Sequence, residues 1–287
     1  MMKYEIKSLN KDFSFLKSQP VLKGSRVKRL AFDGKKYAIF KYDHPDYNVS
    51  EISSEKMSYE IAKVIGFDCA RIELAKDENG KIGVLNYLFT NKDCEHSDII
   101  SYLNDNILNR KEFYTLSNIK KVLDGLNPML FSGFIGIMIF DALVGETDRH
   151  EENWGILKYQ DYYQISPLYD NGCNLLREFK DESFAEKKII NFENYIMKSS
   201  TCIYKENGHG KYKHFELIEI LNQEYFEIVQ QYLLKVKCLT NQKIKNIVFS
   251  IPNNLLTMKH KEYIIMYLIQ RRDILLKMLE VSDENEE

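Results

Sequence analysis

Three polar residues near the middle of the chain have the types and spacing that phosphoryl transfer requires. Residues 145–153 read Gly-Glu-Thr-Asp-Arg-His-Glu-Glu-Asn, which places Asp148 five positions before Asn153. A second aspartate, Asp170, follows a short strand-turn-strand stretch and is itself followed by Asn-Gly. One carboxylate can deprotonate an attacking hydroxyl, while an amide oxygen and a second carboxylate can hold the metal ions that neutralise a triphosphate. The pattern predicts a kinase catalytic loop followed by a metal-binding loop.

Each of these residues also has a simpler interpretation. Taken alone, Asp148 is a capping or loop aspartate, Asn153 a turn asparagine and Asp170 part of an Asx turn. The presence of all three residues together favours a catalytic role, because they occur where a hydroxyl, a hard cation and phosphates could meet in one cleft. His150 is grouped with the candidate catalytic residues, although a hydrogen-bonded role in shaping the loop is preferred. Arg149 either pairs with a carboxylate or a phosphate, or is solvated.

A phosphate-binding lysine is predicted on an early strand. Lys41 extends the strand Tyr-Ala-Ile-Phe and can reach the α- and β-phosphates of a nucleotide as a point charge. The alternative is an exposed edge-strand lysine. A buried lysine needs an acidic partner, and the following helix offers Glu55 and Glu60. Glu55 is the favoured partner.

A short basic loop precedes this strand. Residues 23–26 read Lys-Gly-Ser-Arg, and backbone amides near Gly24, together with Lys28, could cover phosphates. The loop has one glycine and no Walker pattern, so an ordinary basic turn is the alternative. Ser25 is a hypothetical phosphorylation site in this loop.

Composition excludes several other classes of protein. The net charge of the 287-residue chain is −2, so no global field indicates a nucleic-acid or membrane partner. The five cysteines include no Cys-x-x-Cys pair, which favours scattered reduced thiols in a cytoplasmic protein. The start of the chain is charged and does not look like a signal peptide. The most apolar stretch, residues 131–144, is too short and too interrupted to span a bilayer, so it predicts a buried helix.

Periodicity predicts a two-lobed α+β layout, with a β-rich lobe at 1–90 and a helical lobe at 91–287. The first lobe would contain a helix at 51–66 and four strands, at 27–32, 36–42, 71–75 and 83–89. In the second lobe, a hairpin at 154–166 would separate the two predicted polar loops, and long helices would cover 215–234 and 260–279. A nucleotide would occupy the cleft between the lobes.

These residues resemble a known family. The segments 147–153, Thr-Asp-Arg-His-Glu-Glu-Asn, and 166–170, Ser-Pro-Leu-Tyr-Asp, are similar to the HipA-like serine/threonine kinases, the toxin class of certain bacterial toxin–antitoxin systems. The resemblance spans residues 20–175 and extends to the loop at 24–28 and the helix at 54–66. The chain looks like a short member that begins almost at the kinase core.

The resemblance implies a protein-kinase-like fold, ATP with Mg²⁺, and transfer of the γ-phosphoryl group to a protein hydroxyl. It implies that Asp148 is the base, that Asn153 and Asp170 are metal ligands, and that Lys41 binds phosphate. Residues 83–89, with Leu85 and Tyr87, would lead into the hinge whose backbone contacts adenine. An antitoxin protein is an implied partner, whereas direct contact with nucleic acid is not expected.

Two other functions fit the same residues. The Asp-Arg-His-x-x-Asn pattern is also similar to that of phosphoinositide kinases, so a lipid or small-molecule kinase is the main rival. The second alternative is an inactive ATP-binding module, against which stands the presence of all three polar residues.

Overall fold

The small lobe is built on one six-stranded sheet. A computed structural model describes residues 3–9, 14–15, 28–43, 51–103, 110–179, 192–206 and 208–283. The strands are β1 (Ile6–Ser8), β2 (Ser14–Phe15), β3 (Lys28–Phe32), β4 (Tyr37–Tyr42), β5 (Ile72–Lys76) and β6 (Ile82–Tyr87). Their spatial order is β1-β5-β6-β4-β3-β2. All neighbours are antiparallel except β1 and β5.

One long helix, α1 (Glu51–Ile65), packs on this sheet. Met57, Ile61 and Ile65 recur at helical spacing and are buried, as the sequence predicts. Gly66 follows the helix at φ 69°, a conformation that glycine adopts without steric cost. The helix therefore ends where the sequence analysis placed its end.

The large lobe surrounds an almost wholly buried helix, α4. The helices of this lobe are α2 (Arg110–Phe113), α3 (Leu116–Leu126), α4 (Met129–Val144), α5 (Phe192–Lys198), α6 (His214–Glu224), α7 (Phe226–Lys237), α8 (Asn241–Ser250) and α9 (Met258–Asp283). Thirteen residues of α4 are buried. It ends at Gly145, whose φ of 73° turns the chain out of the core and into the first polar loop. Among the described helices, none is both long and apolar enough to cross a membrane.

A second sheet frames the cleft from the large lobe. It consists of β7 (Glu95–Asp98), β8 (Gly155–Lys158) and β9 (Tyr163–Ile165), in that order. The β8–β9 hairpin was predicted, but β7 was not, because its four residues, Glu-His-Ser-Asp, are polar and show no apolar alternation. A separate pair, β10 (Ser200–Tyr204) and β11 (Lys211–Lys213), interrupts the region that the sequence indicated as helical.

Two predicted elements differ from the structure. The helix expected at 215–234 is two helices, α6 and α7, because Tyr225 leaves the helical conformation at φ −133° and ψ 46°. Both helices bury one face against α4, so the apolar spacing continues across the break. The acidic tail expected at 282–287 begins as the end of α9, and its last four residues lie outside the described ranges.

The amino-terminal segment joins the lobes at a second place. The Tyr4 N–H donates to the Ser250 carbonyl at 2.7 Å, and the Lys3 ammonium donates to the Phe249 carbonyl at 2.7 Å. Two residues later the same segment forms β1 and pairs with β5. The small sheet is thus held to the end of α8 as well as through the connection after β6.

Gly155→Ala tests the contact between β7 and β8. A Cβ at this position would lie 2.9 Å from the Asp98 Cα and would collide with the Ser97 carbonyl, both backbone atoms. We expect a loss of about 1–3 kcal/mol in the free energy of unfolding, measured by denaturant titration. Gly125→Ala is the matched control, because nothing lies within 4 Å of its Cβ position. An equal loss in both variants would contradict the contact.

Candidate active site

The first polar loop is positioned by a buried carboxylate directly after α4. Glu146 accepts from the backbone N–H of Asp148 at 2.9 Å, from the N–H of Cys173 at 3.2 Å and from the Asn174 amide at 3.1 Å. The side chain therefore fastens the loop that carries Asp148 to the segment that follows Asp170. Burial raises the pKa of Glu146 to about 8, with Arg149 acting in the opposite direction.

A buried guanidinium joins the two polar loops to each other. Arg149 donates from Nη2 and Nε to the Asp141 carboxylate of α4, at 2.9 and 3.1 Å. Its Nη1 donates to the carbonyls of Asn153 at 3.0 Å and Tyr169 at 2.7 Å, and Nη2 also reaches Asn171 Oδ1. Burial disfavours the charge, but the Asp141 carboxylate more than offsets this and keeps the pKa of Arg149 above its ordinary value. Of the two interpretations that the sequence left for Arg149, the ion pair is correct.

The loop itself presents Asp148 to solvent and turns Asn153 toward it. Asp148 is exposed, and its carbonyl accepts from the Asn153 amide nitrogen at 2.7 Å. This bond orients the Asn153 amide with its nitrogen toward the loop. The amide oxygen, Oδ1, is then available to accept a hydrogen bond or to ligate a cation. His150 is half-buried, and its Nδ1 accepts from the backbone N–H of Glu152 at 3.2 Å.

Lys41 joins the small lobe to the second polar loop. Its ammonium lies 3.2 Å from Glu55 Oε1 on α1 and 2.8 Å from Asp170 Oδ1, and the lysine is only 5% exposed. Burial alone would lower the pKa of Lys41, but the carboxylates of Asp170 and Glu55 outweigh burial and raise it above its ordinary value. Glu55 is thus the partner, as favoured from the sequence, while Glu60 pairs with Lys56 instead.

Asp170 occupies an uncommon backbone conformation. Its φ of 54° lies in the left-handed region, which aspartate tolerates better than most residues. The preceding Tyr169 donates its hydroxyl to Asp98 of β7 at 2.7 Å. After Asp170, the Asn174 amide donates to Ser58 of α1 at 3.0 Å, and Ser54 donates to the Asn174 carbonyl at 3.2 Å. The helix that carries Glu55 therefore rests on the segment that carries Asp170.

These side chains line one cavity of about 1040 Å³ between the lobes, at the upper end of the range for small-molecule and cofactor sites. Of the residues proposed from the sequence, the cavity brings together Lys28, Lys41, Tyr87, Asp148, His150, Asn153 and Asp170. Glu55 reaches the cavity through Lys41. Gly24 and Ser25 lie outside the described residues.

Of the two residues proposed to lie near adenine, Leu85 and Tyr87, only Tyr87 borders the cavity. Leu85 does not line it, and its side chain belongs to a buried cluster on the other face of the sheet. The Tyr87 ring belongs to the same cluster, although Tyr87 borders the cavity. Side chains alternate along a strand, so the residue between them, Asn86, faces the cleft. Sequence reasoning missed Asn86 because both faces of β6 are buried and show no polar alternation.

The chain belongs to the family described as HipA-like C-terminal domain, which matches residues 20–187. Among characterised proteins, it is 25% identical over 240 residues to the serine/threonine-protein kinase CtkA of Helicobacter pylori, covering 80% of this chain and 71% of that protein.

Two solved structures show the same fold. The H. pylori proinflammatory kinase CtkA has a TM-score of 0.79 at 21% identity, covering 97% of this chain and 99% of that one. HipA of Shewanella oneidensis MR-1, solved with HipB and operator DNA, has a TM-score of 0.59 at 14% identity, covering 94% and 68%. The predicted two-lobed, kinase-like α+β fold is confirmed.

The Arg149–Asp141 pair is tested by Asp141→Ala. Removing the carboxylate leaves a buried guanidinium without its anionic partner, and we expect the free energy of unfolding to fall by about 3–5 kcal/mol. Asp124→Ala, which breaks the more exposed Lys120–Asp124 pair of α3, is the control and should cost less than about 1 kcal/mol. Chemical denaturation measures both, and similar losses would refute the role assigned to the buried pair.

The raised pKa of Glu146 predicts a pH dependence. The folded pKa of about 8 lies above the ordinary value of 4.5, so the folded state keeps a proton that the unfolded state releases. The protonated Glu146 carboxyl contributes its full stabilisation below pH 4.5, and this contribution is lost as the pH rises to about 8. The unfolding free energy of wild type minus that of Glu146→Gln should therefore fall by up to about 1.4 kcal/mol per pH unit in this window. A pH-independent difference would show that Glu146 is ionised throughout.

Proposed function

We propose that this protein is an ATP-dependent protein serine/threonine kinase. The observation that carries the proposal is the Lys41 ammonium, which lies within hydrogen-bond distance of both Glu55 and Asp170 in a cavity that Asp148 and Asn153 also line. A buried lysine held by two acidic residues is suited to bind the phosphates of a nucleotide. The family and the relationship to CtkA, a named serine/threonine kinase, support the same reaction.

The residues present fit ATP with Mg²⁺. Asp170 supplies a carboxylate oxygen and Asn153 a free amide oxygen, and hard cations such as Mg²⁺ prefer oxygen ligands. Mg²⁺ is commonly bound through one or two protein groups together with the substrate phosphates, so few protein ligands are needed. When bound, the ion would neutralise the negative charge that develops on the phosphates during transfer.

In the proposed reaction, Asp148 accepts the proton of the acceptor hydroxyl. The hydroxyl oxygen forms a bond to the γ-phosphorus as the bond from that phosphorus to the bridging oxygen breaks, and ADP leaves with the electron pair. Lys41 orients the α- and β-phosphates from the small lobe, still held by Glu55. Asp170, which bonds to Lys41 in this structure, would hold the metal ion when Mg·ATP is bound. Asp148 suits the base role because its side chain is exposed at the cavity, where the Cys173 thiol donates to Oδ2 at 3.5 Å.

The acceptor we propose is a protein hydroxyl, as for CtkA by its name. We extend the proposal to a toxin that binds an antitoxin protein, because the HipA of similar fold was solved with HipB. A lipid or small-molecule acceptor, the rival drawn from the sequence, is distinguished by the experiment below.

Two substitutions separate the proposed base from the proposed metal ligand. Asp148→Asn should keep ATP binding and lower transfer by about 10²–10⁴-fold, because the metal site survives without the base. Asp170→Asn should weaken binding of Mg·ATP itself. Each variant is incubated with γ-labelled ATP, Mg²⁺ and a host-cell lysate, and ATP affinity is measured by calorimetry. Asp124→Asn, on the surface of α3, is the matched control.

The destination of the label decides among the alternatives. Label on protein bands that Asp148→Asn abolishes supports the protein kinase, and mass spectrometry of the chain would show whether Ser25 is modified. Label in the lipid fraction would support the lipid-kinase alternative. Retained ATP binding without any label would identify an inactive module. Full transfer by Asp148→Asn would refute its role as base.

A further inference from the structure

The Asn86 side chain is a largely buried polar group whose amide opens into the cavity between the lobes. Asn86 is 9% exposed and lines the cavity between the lobes. Within the described ranges, its side chain makes no hydrogen bond. The amide atoms are absent from the fully buried side-chain atoms that lack a partner, so they are open to the cavity, where water or a ligand normally satisfies such groups. The position therefore has a free donor and a free acceptor aimed into the cleft.

The strand register places this amide beside the proposed phosphate site. In the β4–β6 ladder Lys41 lies opposite Val84, and Ile39 lies opposite Asn86. Lys41, Ile39 and Asn86 all line the cavity, so they share the cleft face of the sheet. Two residues along a strand correspond to about 7 Å, so Asn86 lies about that far from Lys41 along the sheet, toward the connection between the lobes.

The cavity wall beyond Asn86 is aromatic. The rings of Phe89, His96 and Tyr169 contact one another with centroids 5.3–5.7 Å apart, and all three residues line the cavity. Burial lowers the pKa of His96, so its ring adds no charge at neutral pH. An aromatic wall suits a planar base, and Lys41 and Lys28, which line the same cavity, supply charge for phosphates.

We propose that Asn86 reads the base of the bound nucleotide and selects adenine over guanine. An asparagine amide pairs with adenine through two hydrogen bonds: Oδ1 accepts from the 6-amino group, and Nδ2 donates to N7. Guanine presents acceptors at both O6 and N7, so Oδ1 would face another acceptor. This inference rests on the proposed function, because it assigns the base specificity of the same nucleotide site.

The test is a comparison of nucleotide affinities by calorimetry. Wild type, Asn86→Leu and Lys41→Met are titrated with ATP, GTP, purine riboside triphosphate, which lacks the 6-amino group, and 7-deaza-ATP, which lacks N7. Asn86→Leu keeps the branched shape of the side chain and replaces the amide with two larger methyl groups. Asn246→Leu, an exposed asparagine on α8, is the matched control. Thermal unfolding of each variant reports folding independently of nucleotide.

We expect Asn86→Leu to reduce the preference for ATP over GTP by roughly 5- to 150-fold, the range for one bidentate amide–base pair. The variant should also bind ATP and purine riboside triphosphate alike. Lys41→Met should weaken ATP and GTP equally and leave the preference unchanged, because it acts on the phosphates.

Three outcomes would overturn the inference. The first is an unchanged ATP preference in folded Asn86→Leu. The second needs no variant: wild type that binds 7-deaza-ATP as tightly as ATP makes no bond to N7. Both outcomes leave the kinase proposal intact. Wild type that binds no nucleotide would overturn the proposed function and the base selection together.

Discussion

The arrangement of the candidate site depends on the buried ion pair between Arg149 and Asp141. The guanidinium contacts the core helix, the carbonyl of Asn153 and the carbonyl that precedes Asp170. A buried charge is costly unless all of its donors are used. The bonds of Arg149 are therefore interdependent, and one side chain fixes the relative positions of two loops that are separated by a hairpin in the sequence.

Lys41 extends this arrangement to the small lobe. The same ammonium contacts α1 through Glu55 and the second polar loop through Asp170. Helix α1 also rests on Asn174 through two serines. The lobes therefore meet through polar contacts at the cleft, where a bound nucleotide would compete for them. Mg·ATP bound as proposed would exchange Lys41–Asp170 contacts for phosphate and metal contacts, which would couple occupancy of the cleft to the position of α1.

The sequence was sufficient for features that depend on residue type and failed for features that depend on packing. The residue types and spacing of Asp148, Asn153 and Asp170 predicted that they share one cleft, and the structure places all three on one cavity. Glu55 could be favoured as the partner of Lys41 because helical spacing left two choices. The role of Arg149 could not be settled, since its partner Asp141 lies inside an apolar helix and only the folded chain brings them together. On β6 the cleft-facing residue, Asn86, was missed. A strand that is buried on both faces has no alternation of polar and apolar residues to show which side chains face the cleft. The break at Tyr225 was hidden for a related reason: two helices packed on one core continue a single apolar pattern.

The bonds from Tyr4 to Ser250 and from Lys3 to Phe249 have a mechanical consequence. Two lobes that are joined at one place can move apart by a hinge motion about that connection. Here the small sheet is also held to the end of α8, so a wide opening would require these bonds to break. A third attachment lies after α1, where the Ala70 N–H donates to the Leu168 carbonyl at 2.8 Å and the Leu168 N–H donates to the Asp68 carbonyl at 3.0 Å. Ligand entry and release would then depend on small movements of the lobes, and their amplitude would be limited in part by hydrogen bonds between residues that do not line the cavity.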